Sequence, residues 1–323
     1  MTGPTALRIS PAWDDPGAVV ATIRAAGPFW PLASYAASDA ELDALGSHTA
    51  QTEFTPPWFR QDFARHGEAL VAGADRILAN PHFLDAARAI AGPDAVVRPT
   101  TVYVNVMGPT PFPFAPHLDV PAFRGFTRDD FPLWILKAMK TSGLFEPWRT
   151  KIVTAVSWFY DGPGGDFHYW PDGPDAPPAV EHPPFANVAV VADNEATFHG
   201  VAPLGPPGAR MPTTLDRHSR LVRADAGWDA CAADGTVLAH IPDAEARITT
   251  SWKADVYATA ADAARADAGD DTLDLATVVD VFLADLADRG LSATAPADPL
   301  ADREWVGLLA DTYCDPVPAI TVA

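Results

Sequence analysis

In Thr100-Thr-Val-Tyr-Val-Asn-Val-Met107, valine occupies every second position, with Tyr103, Asn105 and Met107 alternating between. A period of two is the pattern of a strand, whose successive side chains point to opposite faces. The valines therefore enter a core, while Tyr103 and Asn105 line a second, more polar surface. Comparable strands recur only through the middle of the chain. Lys151 to Tyr160 is the clearest, and Asp161-Gly-Pro-Gly-Gly165 turns it into Asp166–Trp170 as a hairpin. Asn187 to Ala192 and Ala246 to Lys253 follow.

Helical signals bracket this region. Asp14–Ala26, Asp39–Gly46, Gln61–Asn80 and His82–Ala91 combine capping residues with glycine or proline stops, so residues 1–92 read as helical. Beyond residue 257, Leu275, Val278, Val279, Phe282, Leu283 and Leu286 form one stripe of a helix over Leu273–Arg289, and Pro299–Tyr313 offers another. Strands grouped between helical ends predict an α+β fold, an antiparallel double-sheet jelly roll over 93–257 buttressed by the helices of 1–92 and 258–323. The whole reads as a single domain, with 205–246 an insertion that turns at Asp234-Gly235. No Gly-x-Gly-x-x-Gly or Walker loop follows a strand, which removes the support for a nucleotide fold.

Charge and cysteine content exclude further classes. A net charge of −20 without clustered Lys and Arg excludes nucleic acid as a partner. Cys231 and Cys314 are the two cysteines, so no disulfide framework exists and a reducing compartment is expected. Residues 1–10 carry no basic start or apolar core, and no run reaches transmembrane length. The expectation is a cytoplasmic chain with no membrane partner.

Chemistry concentrates at His117-Leu-Asp119, which ends the proline-rich run from Pro111. On an extended segment the imidazole and the carboxylate share a face and can grip one metal. The spacing alone is weak, because nine histidines in an Asp-rich chain give roughly one His-x-Asp or His-x-Glu by chance. A second instance, His66-Gly-Glu68, falls in the expected helix, where positions i and i+2 diverge. The alternative for His117 and Asp119 is an Asx-type turn with a half-buried histidine. A third ligand is available in His199, within Ala196-Thr-Phe-His-Gly-Val-Ala-Pro203. Two histidines and one carboxylate hold iron(II) on one face and leave its other positions open. His168 and His182, on a hairpin and in a proline-rich loop, read as ordinary polar residues.

The order of these features resembles the iron(II)/2-oxoglutarate-dependent dioxygenases, a family built on a distorted double-stranded β-helix. The likeness covers residues 100–257: a polar-lined strand, His117-x-Asp119, a strand with a glycine turn, the distal His199, then a strand carrying a basic residue. It implies Fe(II) on His117, Asp119 and His199, and 2-oxoglutarate chelating the metal through its keto group and C1 carboxylate. Dioxygen would be the oxidant, a C–H bond of a small molecule would be hydroxylated, and succinate would be released. The carboxylate of Asp119 argues against halogenation, since halogenating members carry a small residue there. Arg210 and Arg247 compete to anchor the distal carboxylate of 2-oxoglutarate. Arg210 stands at the spacing from His199 that many members show. Arg247 starts a good strand whose Thr249 and Ser251 share its face. Tyr103 and Asn105 would face the cavity, and Phe131–Trp148 would form a mobile cover. The competing readings are a non-catalytic, cupin-like jelly roll that binds a metal or small molecule, and a serine hydrolase. No Gly-x-Ser-x-Gly elbow supports the latter.

Overall fold

Eight strands wind between two facing sheets in the computed structural model, which describes residues 5–35, 55–269, 271–313 and 317–318. They are β1 (Val96–Met107), β2 (Phe114–His117), β3 (Arg149–Phe159), β4 (Phe167–Tyr169), β5 (Ala179–Glu181), β6 (Ala189–Ala192), β7 (His199–Val201) and β8 (Arg247–Tyr257). The large sheet orders its core strands β6-β3-β8-β1 and the small sheet β5-β4-β7-β2, every pairing being antiparallel. The chain thus passes from one sheet to the other and back, which is the winding of a double-stranded β-helix.

Burial explains the pairing. Val102, Val104 and Val106 of β1, with Ile248 and Trp252 of β8, are buried against Phe83, Ala86 and Ile90 of the helix Pro81–Ala91. Trp252 Nε1 also donates to the Leu78 carbonyl at 2.7 Å. The opposite face of the same sheet meets the small sheet, where Met107, Val156, Trp158, Phe167 and Val201 cluster. The alternation read from the sequence therefore separates a helix-covered face from a cavity-lining face in both β1 and β8.

Three expectations are corrected. Gln61–Asn80 is not one helix: Trp58–Arg65 is a strand beside β1, and only Ala74–Leu78 is helical there. Phe59 and Phe63 are both buried, and a spacing of four keeps side chains on one side in a strand as well as a helix. His66 and Gly67 both take positive φ, the requirement of a tight hairpin turn, and His66 faces Asp129 at 3.4 Å. The N-terminal part is accordingly mixed, with Ala6–Ile9 and Trp30–Pro31 also in the large sheet. Second, β3 and β4 do not form a hairpin; the glycine turn carries the chain from the large sheet to the small one. Third, the helix Leu133–Ser142 puts no residue on the cavity wall, because Ile135, Leu136 and Met139 are buried with Phe282, Leu286, Trp305 and Leu309 of the C-terminal helices Leu275–Asp288 and Arg303–Thr312, and only the charge of Lys137 is felt at His117. The expected helix Asp39–Gly46 lies outside the described residues.

The 205–246 segment folds as a three-stranded antiparallel sheet of Arg220–Ala224, Gly227–Cys231 and Val237–Pro242. Its buried Trp228 meets Phe29 edge to face at 5.5 Å, which fixes this sheet onto the N-terminal segment. At the predicted turn Gly235 has positive φ, and the Asp234 carboxylate accepts from the Thr236 N–H.

Beyond the bulge at Lys253–Ala254, burial raises the Asp255 carboxyl to about 6 against the pull of Arg98, His66 and Lys253. In the unfolded chain an aspartate loses its proton near pH 4, so this group's stability contribution is intact at low pH and lost as the pH climbs from about 4 through 6. Asp255→Asn is expected to flatten the fall in Tm between about pH 4 and 7. Calorimetry across that range checks it, and an unchanged profile would contradict it.

Candidate metal centre

The small sheet builds the site. His117 ends β2, His199 begins β7, and the two are cross-strand partners whose rings lie 4.4 Å apart. Asp119 follows two residues past His117, and its backbone N–H donates to the Asn194 carbonyl at 2.8 Å, fixing the carboxylate beside the imidazoles. The Nδ1 of His117 is 2.9 Å from the Ala115 carbonyl, and that of His199 is 3.1 Å from the Thr197 carbonyl. A carbonyl only accepts, so each Nδ1 carries the proton and each Nε2 keeps a free lone pair. One ligand atom from each of His117, Asp119 and His199 falls within 4.8 Å of the others. Burial, helped by the neighbouring His199, pushes His117 down to about 3, and burial also lowers His199. Both imidazoles are neutral at physiological pH, the form that binds a metal.

A lysine absent from the sequence expectations completes the centre. Lys253 Nζ is 2.7 Å from Asp119 Oδ2, while Asp119 Oδ1 faces His199 Nε2 at 3.7 Å. One carboxylate oxygen is thus held by the ammonium and the other is turned to the imidazoles. Burial would raise the Asp119 carboxyl, but Lys253, His199 and His117 outweigh it and hold the group below the usual range. The same pairing overcomes the burial of Lys253 and keeps it charged. Lys253 was legible in principle: it is the next position on the face of Arg247, Thr249 and Ser251.

The loop entering β7 is braced from behind. Arg149 bonds Asp193 at 2.6 Å and Glu195 at 3.0 Å, on either side of the Asn194 that holds Asp119. Burial, then Asp193, raises the Glu195 carboxyl well above its ordinary range, which marks how far this loop is removed from water.

Arg247 lies in the same cavity, 1% exposed. Its Nε donates to the Gly165 carbonyl at 3.0 Å and its Nη1 to Thr249 Oγ1 at 2.8 Å, while Nη2 is buried without a partner. No carboxylate among the described residues pairs with it, and burial lowers its pKa to about 9. Gly165 makes the approach possible: at φ +75°, a Cβ there would come within 3.0 Å of the Arg247 side chain. Thr249, Ser251, Tyr103 and Asn105 line the cavity as expected from their alternation, whereas Arg210 is exposed and does not. His168 and His182 also lie outside, His182 pairing with Asp166 at 3.1 Å. Sequence reasoning missed Trp58 and Arg60, which reach the cavity from a strand whose second half, from Gln61, was read as helix.

No family model and no curated protein matches the sequence. Solved structures that follow a similar course include an oxidoreductase of the 2OG-Fe(II) oxygenase family from Burkholderia pseudomallei, 12% identical with a TM-score of 0.39 over 78% of this chain and 84% of that one. A Pseudomonas putida prolyl-4-hydroxylase is 15% identical, with a TM-score of 0.36 over 78% and 92%. HygX from Streptomyces hygroscopicus, solved with nickel, 2-oxoglutarate and hygromycin B, is 9% identical, with a TM-score of 0.33 over 78% and 83%. At these identities and scores no residue role is carried over from any of them. Among the described residues, no helix is long and apolar enough to cross a membrane.

Replacing Lys253 by Met strands the Asp119 carboxylate in a buried site, so the metal-free protein is expected to lose about 3 kcal/mol of stability. Urea denaturation in the presence of a chelator measures this. Lys253→Arg should keep most of the loss at bay, and a Lys253→Met protein as stable as the parent would dissolve the pair's importance.

Proposed function

We propose that the protein is an iron(II)- and 2-oxoglutarate-dependent oxygenase that hydroxylates a C–H bond of a small organic molecule. The observation that carries this reading is the fully buried Arg247, a cation with an unpartnered Nη2 and no acidic partner among the described residues, in the cavity where His117, Asp119 and His199 converge. Asp166 acts on this charge only from beyond pairing distance, and a buried charge that no carboxylate pairs costs several kcal/mol, so the cavity calls for an anion at that end. Two neutral imidazoles and one carboxylate suit iron(II). The residues therefore fit both halves of an iron and 2-oxoglutarate pair.

In this reading His117 Nε2, His199 Nε2 and one oxygen of Asp119 hold the metal, and Lys253 occupies the other oxygen. Bound iron(II) would supply the coupling of dioxygen reduction and 2-oxoglutarate decarboxylation, with release of succinate and carbon dioxide, to hydroxylation of the substrate. Arg247 grips the distal carboxylate, with Thr249 orienting the guanidinium and Ser251 beside it on the same strand face. Met107, Phe114, Val156 and Val201 line the remaining wall and exclude bulk water, which strengthens these charge contacts. Arg210, exposed outside the cavity, takes no part.

Protein reconstituted anaerobically with iron(II) should form succinate from 2-oxoglutarate on exposure to air. His117→Ala and His199→Ala are expected to reduce that rate below about 1% of the parent with unchanged circular dichroism, because each leaves the strand's packing intact. A His199→Ala protein that retains full succinate formation would falsify the metal assignment. Arg247→Leu should raise the KM for 2-oxoglutarate at least about tenfold with iron content unchanged, and Arg210→Leu should leave it alone. The reverse pattern would move the anchor to Arg210.

A further inference from the structure

We propose that the substrate is a small carboxylate-bearing anion whose carboxylate docks on the guanidinium of Arg60. The proposal rests on Arg247 being the cosubstrate anchor, and it starts from the sign of the cavity. Although the chain carries a net charge of −20, its cavity gathers Arg60, Arg247 and the adjoining Lys253 around one carboxylate, Asp119. Lys253 is satisfied by Asp119, and Arg247 is assigned to 2-oxoglutarate. Arg60 is left over.

Its geometry is that of a prepared receptor. Arg60 Nε donates to Asn105 Oδ1 at 2.9 Å, and its guanidinium lies over the Tyr103 ring at 4.0 Å, with Tyr35 at 5.7 Å on another side. These contacts fix the plane of the fork and use Nε, leaving the Nη edge for a bidentate acceptor. No ion pair forms between Arg60 and any described acid. Asp62, two positions along the same strand, feels the Arg60 charge but does not reach pairing distance and is not on the cavity wall. Trp58, the preceding residue on the face of Arg60, has a buried Nε1 with no partner. Among the described residues, each unpartnered buried polar atom on a side chain that lines the cavity is a donor, from Trp58, Trp158, Asn194 and Arg247, so the missing ligands are rich in acceptors.

Position separates the two anchors. Arg60 pairs across with Asn105 and Asn105 with Thr249, so Arg60 stands two strands from the strand of Arg247, about 10 Å away. A 2-oxoglutarate held between Arg247 and the metal leaves Arg60 to a second anion. The apolar body of that anion would lie along Trp58 and Phe114, which meet edge to face at 5.0 Å beside His117.

The test uses ligand-observed NMR with phenylacetate and hexanoate as probes, against phenylacetamide and hexanamide. Both the metal-free protein and protein loaded with zinc(II) and 2-oxoglutarate are titrated. The acids are expected to bind at least about tenfold more tightly than the amides in both forms. In the loaded form, where 2-oxoglutarate fills Arg247, Arg60→Gln should erase that preference and Arg60→Lys retain it, while the Kd for 2-oxoglutarate stays at the parent value in each. Equal binding of acids and amides, no binding of the acids, a preference of the loaded form that survives Arg60→Gln, or a 2-oxoglutarate Kd weakened by that change would each overturn the proposal. Failure of the cosubstrate reading would look different: the parent protein would not bind 2-oxoglutarate, yet the acid preference of the metal-free form would still be measured.

Discussion

Strand β8 is hydrogen-bonded to β1 along one edge and to β3 along the other, and the rest of the site depends on that double pairing. It locks the register of Arg247, Thr249, Ser251 and Lys253, so three successive positions of one face line the cavity and the fourth reaches Asp119 beside it. A slip of one residue would turn all four into the helix-covered core and bring Ile248 and Trp252 into the cavity. The hydrophobic cost of exposing Trp252 and burying Arg247 among valines makes that slip prohibitive. The cavity-lining face is therefore specified by the apolar residues on the opposite one.

Electrostatics then divides the cavity into a satisfied and an unsatisfied end. Asp119 and Lys253 compensate each other at 2.7 Å, and a buried pair of this kind is dear to break though worth little against a hydrophobic substitute. Its value lies in orientation, because it leaves one carboxylate oxygen for the imidazole side. Arg247 is the opposite case, a buried cation held by a backbone carbonyl, a threonine hydroxyl and Gly165's missing side chain. Holding that charge in place before a ligand arrives costs folding stability, and it removes the reorganisation that binding would otherwise require.

Much of this was legible in the sequence where one periodicity had one reading. The valines of 102, 104 and 106 fixed which way Tyr103 and Asn105 point, and the same alternation placed Thr249 and Ser251 beside Arg247. His117, Asp119 and His199 are brought together as the family likeness implied, where the His-x-Asp spacing alone was a weak signal. Other parts were not legible, for identifiable reasons. The helix expected from Gln61 took in the second half of the strand Trp58–Arg65, so Arg60 went unseen with its strand. The turn at Gly162–Gly165 joins two sheets instead of two neighbours, and sequence separation cannot tell a hairpin from a crossover. Phe131–Trp148 has the composition of a cover, yet its apolar side chains are spent on the C-terminal helices. Lys253 ended the expected strand, and its partner Asp119 lies 134 positions away.

The central claim is that one cavity holds a metal and 2-oxoglutarate together, and equilibrium binding without turnover tests it most directly. Calorimetric titration of 2-oxoglutarate into anaerobic protein, with and without iron(II), is the measurement. The account predicts one 2-oxoglutarate per chain, bound far more weakly once iron is removed and lost in Arg247→Leu, because the metal and Arg247 each hold one end of the dianion. Binding of equal strength with and without the metal, or no binding to the iron-loaded protein, would contradict it.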